Sequence, residues 1–183
     1  ISSRIFNYKD KLQYIFLLFI GMILISLNNA SIFSTSGSFF SGSDASAYYR
    51  TALEYDIYSA ISSNWLETLR YVFYTLYQKI AAFPFLHSER TASFLIKSSN
   101  WSVALLSLSY FTSKVRSSIG YNPKKNPTFN LILTLTYVLF LYLALYNYRD
   151  ILISAFTITL MSSYLTNHRS YLIIIISTLV LIN

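Results

Sequence analysis

The chain has 183 residues, of which 54% are hydrophobic and 11% charged, with 14 Lys and Arg against 7 Asp and Glu for a formal net charge of +7. So little charge, together with apolar runs near bilayer length, argues against a soluble domain and for an all-α integral membrane protein of four to five spans. Without cysteine there is neither a disulfide framework nor a thiolate metal site, and the two histidines, His87 and His168, are too far apart to form a zinc pattern.

Residues 12–28, LQYIFLLFIGMILISLN, form the first expected span. Arg4, Lys9 and Lys11 precede it, which puts the N-terminus in the cytoplasm by the positive-inside rule. The run lacks the small-residue cleavage site of a secretory signal, Ala30-Ser31 being the nearest approach to one. A long outer loop, 29–90, follows. Its start, NASIFSTSGSFFSGS, is Ser-rich and expected to be irregular. Asp44 is then placed to N-cap a helix over 45–55, with Ala45, Tyr48, Ala52 and Tyr55 along one face. A second amphipathic helix is expected over 65–83, ending before Pro84, with Leu66, Leu69, Phe73, Leu76 and Ile80 as its apolar stripe. Its lack of an all-round apolar surface suits a helix lying in the interface.

The second expected span, 91–111, carries Lys97 and Asn100 in its first half. Lys97 either snorkels to the nearer interface or faces a polar cavity. The stretch KVRSSIGYNPKKNP, 114–127, has four basic residues and no acidic one, the strongest cytoplasmic-loop signal in the chain. If helix 65–83 spanned, this loop would move outside, so it is assigned to the interface. Residues 131–147 then cross outward, 151–165 return to the basic turn Asn167-His168-Arg169, and 171–183 begin outward again. Because the first residue is Ile1 and the last run is shorter than the ~20 residues of a spanning helix, the chain is expected to be part of a longer polypeptide. The basic residues sit between apolar runs, with no clustered face, so nucleic acid is not an expected partner. The membrane lipid itself is.

This multi-pass topology, expected in the cytoplasmic (inner) membrane, puts six of the seven acidic residues outside: Asp44, Glu54, Asp56, Glu67, Glu89 and Asp150. Asp44, beside Tyr48, Tyr49 and Arg50, is both an N-cap and a candidate outer-face general base or metal ligand. Arg149 and Asp150 adjoin at the outer boundary between two spans. They serve either as interfacial charges that end one helix and begin the next, or, through the guanidinium fork, as a phosphate site at the membrane surface. Glu54 and Asp56 read as solvated helix charges, and His87 as a surface residue.

The pattern Gly42-x-Asp44-x-x-x-Tyr48-Tyr49-x-x-Ala52, in the first outer loop after an inside-to-outside helix, resembles the GT-C class of polytopic glycosyltransferases, which use polyprenyl-phosphate-linked sugars. The stretch Tyr148-Arg149-Asp150-Ile151-Leu152 resembles an Arg-Asp/Glu element at the outer mouth of a later helix in related bacterial proteins. Similar landmarks occur in O-antigen and exopolysaccharide repeat-unit polymerases. The resemblance covers two short motifs and the topology. It implies that Asp44 deprotonates a glycan or lipid acceptor hydroxyl, or helps to hold a divalent cation such as Mg²⁺ or Mn²⁺. It also implies that Arg149, with Lys97 or Arg50, binds the phosphate of the isoprenoid carrier, where cationic donors stabilise the developing charge. Asp150 belongs to the same outer-mouth element, and Tyr48 and Tyr49 would stack on sugar faces or sit in the interfacial aromatic belt. The chain departs from the family in having fewer spans and a single Asp44 where some members show paired acids. Two alternatives stand beside a transferase: a transporter component, which would show richer intramembrane charge, and a non-catalytic membrane subunit whose outer loop binds a partner.

Overall fold

A computed structural model describes residues 8–40, 42–54, 75–119, 127–145 and 149–165. Among them the fold is all helical: α1 (Tyr8–Ser36), α2 (Gly42–Glu54), α3 (Glu89–Ile119), α4 (Pro127–Ala144) and α5 (Arg149–Leu165), with a further helical stretch over 75–82. The apolar run expected over 171–183, residues 65–74 of the expected interfacial helix, and the turn at 167–169 lie outside the described residues.

The first helix is longer than expected. It continues through Ser36, so that the stretch read as Ser-rich loop is helical as far as that residue. The hydroxyls are accommodated in it by bonding to carbonyls one turn back: Ser34 Oγ to Ser31 O at 2.7 Å, Thr35 Oγ1 to Ile32 O at 3.0 Å and Ser36 Oγ to Ile32 O at 2.8 Å. Side chains that compete with the backbone in a loop are spent here inside the helix. Gly37 ends it in the left-handed conformation, φ 69°, with its N–H on Phe33 O at 2.9 Å, the single-bond glycine cap. Among the described residues α1 is the one helix long and apolar enough to cross a membrane, over Leu12–Ser36, with shorter apolar helices at Thr134–Ala144 and Asp150–Tyr164.

The expected second span falls within α3, which is less apolar because it carries Lys97, Asn100 and many serines, several of them buried inside the bundle. It is the central helix, packed on α1, α4 and α5. Hydrogen bonds fix the register of each pair. Trp101 Nε1 donates to Leu17 O at 3.1 Å, and Lys97 reaches Asn29 on the same helix, so α1 and α3 are antiparallel. Tyr137 of α4 donates to Leu108 O at 2.7 Å and also pairs with Thr112. Tyr110 meets Ser163 of α5 at 3.4 Å, while Ile151, Leu152 and Ala155 join the core of Trp101, Ala104, Leu105 and Leu108, so α5 runs parallel to α3. α4 opens on Pro127, whose missing N–H costs nothing at a first helical position. It stops at Ala144, short of the expected 147, and α5 begins at Arg149 with Asp150 in its first turn.

Beside its apolar core the bundle buries polar groups and leaves large apolar side chains outside. Lys97, Asn100, Gln78, Ser93, Ser107, Ser162 and Ser163 are buried, while Phe16, Phe19 and Leu27 of α1 and Leu135, Val138 and Leu139 of α4 are exposed. The stretch 75–82 also docks on the bundle. It packs along α3, with Tyr77 Oη donating to Asn100 Oδ1 at 2.8 Å. Its polar and small face, Thr75, Gln78 and Ala82, is buried, whereas Ile80 of the expected apolar stripe is 76% exposed. The stretch meets the Asn100 amide and the apolar Ala92 and Ile96 of α3, and of the described stripe residues Ile80 is left outward while Leu76 is partly buried.

Candidate functional site

One end of the bundle gathers the last turns of α1, the turn into α2 and the start of α3, with α2 docked beside them through Tyr49. The turn between α1 and α2 is held from both sides by α3. The Glu89 carboxylate accepts from Ser38 Oγ–H and from Phe39 N–H, the latter at 2.9 Å. Two turns further along, Lys97 has no exposed surface. Its ammonium donates to Asn29 Oδ1 at 2.6 Å, Phe39 O at 3.0 Å and Asn28 Oδ1 at 3.2 Å, three donors for three neutral acceptors. Ser93 Oγ lies 3.0 Å from Phe39 O and 3.2 Å from Asn29 Oδ1, completing the cluster. A buried ammonium held by several oxygens is tolerable where an unpaired one is not.

Beside this cluster is a 640 Å³ cavity lined by Asn29, Ala30, Phe33, Phe39, Arg90 and Phe94, with Ser26 and Thr91 at its edges. Its volume is in the range of small-molecule sites. Three phenyl rings give it apolar walls, and Arg90 is exposed.

Asp44 is the third residue of α2, since the helix begins at Gly42. It therefore lies inside the first turn rather than at the N-cap, because the helix takes in Gly42 and Ser43 as well. The side chains of Asp44, Tyr48 and Arg149 are outside the described set. Tyr49 is buried, stacked on Phe40 with ring centroids 4.5 Å apart, and its hydroxyl donates to Leu86 O at 2.7 Å. Burial, with the Glu89 carboxylate adding to it, holds that hydroxyl above the ordinary tyrosine range, so it stays protonated and donates. Tyr49 thus docks α2 onto the turn before α3. Tyr49→Phe is expected to lower stability by about 1–2 kcal/mol, the cost of an unsatisfied buried carbonyl, read as a shift in the urea midpoint with unchanged helicity. Arg50, Glu54 and Asp150 are exposed, as is His87, in keeping with its surface assignment. Of the expected site residues, Lys97 is the one built into the buried cluster.

Sequence reasoning missed Asn28, Asn29, Ser93 and Glu89. The first two carry a faint signal as an Asn-Asn pair in the first apolar run. Glu89 carries none, because its partners are 50 and 51 residues away. Among the described residues no three of His, Cys, Asp and Glu gather into a cation-binding group. No protein-family model matches this chain, and neither does any curated protein or solved structure.

Proposed function

We propose that the chain is a polytopic inner-membrane glycosyltransferase unit that moves a sugar from a polyprenyl-phosphate-linked donor to an acceptor hydroxyl at the outer face. What supports this reading is the order of the elements. α2, carrying Asp44, follows directly on the end of α1, Arg90 stands in the first turn of α3, and α5 opens on the Arg149-Asp150 pair. In the same bundle α1 and α4 carry exposed apolar side chains that suit lipid. Asp44 takes the proton from the acceptor hydroxyl. The oxygen forms its bond to the anomeric carbon as the bond from that carbon to the phosphate oxygen breaks, and the electron pair leaves with the lipid phosphate. Arg149 neutralises the developing charge through its paired N–H donors, with Arg50, Asp150 and Tyr48 around the sugar. Lys97, with all three donors engaged, holds the turn that leads into α2 and does not bind phosphate directly.

The test is glycan assembly in a strain that depends on this protein. Asp44→Ala should reduce product by about 10²- to 10⁴-fold, the usual loss of a general base, and Arg149→Ala should do likewise, both at normal membrane levels. Normal glycan from Asp44→Ala would remove the catalytic assignment.

A transport role is favoured by one observation, the buried polar column of Lys97, Asn100 and Gln78 within the bundle. It would be supported by an Asn100→Leu variant that folds and is inactive alongside a fully active Asp44→Ala.

A further inference from the structure

The cavity between α1 and α3 carries more polarity than its apolar walls require. Asn29 lines it at 5% exposure, and its Oδ1 is engaged by Lys97 Nζ at 2.6 Å and Ser93 Oγ at 3.2 Å. Its Nδ2 has no partner among the described residues, so the amide offers the cavity N–H donors and no acceptor. Lys97 enforces that orientation, because a flipped amide would set N–H groups against an ammonium. Arg90 adds a guanidinium. The earliest helical bond of α3 runs from Ala92 N–H to Ser88 O at 2.8 Å, so the N–H groups of Arg90 and Thr91 precede the ladder, at the positive end of the helix dipole. The neighbouring carboxylate, Glu89, has its Oε1 committed to Ser38 and Phe39 and is not part of the wall.

We propose that this cavity binds the phosphate of an anionic membrane phospholipid of the phosphatidylglycerol type. Arg90 and the Asn29 amide hold the phosphate, and an acyl chain lies along Phe33, Phe39 and Phe94. The site presents donors and positive charge, and acceptor-only phosphate oxygens satisfy them. A lipid fits better than a free anion because the walls are phenyl rings and Phe33 is itself exposed, on the same side of α1 as the exposed Phe19 and Met22. Lipid binding here does not depend on the transfer reaction above.

The experiment places the full chain in nanodiscs of phosphatidylcholine alone or mixed with phosphatidylglycerol, reading retained lipid by native mass spectrometry and the thermal midpoint in parallel. Phosphatidylglycerol should be retained selectively and raise the midpoint. Arg90→Gln and Asn29→Asp should each weaken retention by about tenfold, as expected for one charge-assisted hydrogen bond. Asn29→Asp keeps the oxygen that Lys97 and Ser93 need, so it folds while replacing the donors with a repelling charge. Lys79→Gln, which removes a cation outside the cavity lining, should retain the lipid as the parent does. Equal retention of both lipids overturns the proposal, as does a Lys79→Gln loss as large as that of Arg90→Gln. Inorganic phosphate that alone gives the full midpoint rise in phosphatidylcholine discs would mark a small-anion site and also overturn it.

Discussion

Lys97→Met is expected to destabilise the protein by about 3 kcal/mol, with the loss concentrated in the turn over 37–40. The substitution nearly preserves volume, so little of the effect comes from a cavity. Losing a desolvated charge is favourable, but the acceptors it served cannot follow it. Lys97 satisfies Asn28 Oδ1, Asn29 Oδ1 and Phe39 O. The single Ser93 hydroxyl proton can cover only one of the last two at a time. At least one buried oxygen is orphaned, at about 1–3 kcal/mol each, and three charge-assisted bonds are gone. The orphaned oxygens therefore decide the sign. Urea titration in mixed micelles measures the change, and hydrogen exchange at Phe39 and Phe40 localises it. The double variant Lys97→Met with Asn29→Leu should recover a large part of the loss, since it removes an orphan with its donor. Parent-like stability in Lys97→Met alone would show that the cluster is not structural.

Gly21→Ala is expected to cost about 2–3 kcal/mol, the upper part of the ~1–3 kcal/mol range of overpacking, because a hydrogen bond goes with it. A Cβ at Gly21 would fall inside the Nε1, Cε2 and Cδ1 atoms of the Trp101 ring. That ring is 4% exposed and cannot swing aside without leaving its acceptor, Leu17 O. In α1 the same carbonyl is the helical acceptor for the Gly21 N–H, four residues on, so the missing side chain is what opens Leu17 O to the indole. Alanine's better helix propensity, about 1 kcal/mol over glycine, offsets only part of this. Small residues at helix contacts are the usual means of close approach where lipid provides no hydrophobic drive. Pairing Gly21→Ala with Trp101→Leu should restore part of the stability, and an additive double variant would contradict direct contact.

The helices at 12–28, 91–111, 131–147 and 151–165 were legible because long apolar runs and the breaks between them read directly from residue type, and Lys97 stood out as a lone charge in such a run. What failed did so for physical reasons. Ser31, Ser34, Thr35 and Ser36 read as loop residues because hydroxyls usually divert the backbone, but here they bond one turn back and let α1 continue. The 65–83 helix is assigned to the interface from its stripe, but the docking of Tyr77 on Asn100 of α3 leaves no signal in local spacing. Asp44 was placed one step outside a helix that in fact starts at Gly42. The cavity was not legible at all, since residues 26–33 and 90–94 come together only through antiparallel packing, which no local spacing encodes.

The hydroxyl back-bonds at the end of α1 have a consequence for how that helix sits in a bilayer. They keep Leu12–Ser36 helical for 25 residues, which at ~1.5 Å per residue is roughly 37 Å, although Asn28, Asn29, Ser31, Ser34, Thr35 and Ser36 make its last turns polar. Were α1 to cross a hydrocarbon layer of about 30 Å, the last of those turns would reach past its edge, and the Phe33–Phe94 cavity beside them would sit at headgroup depth.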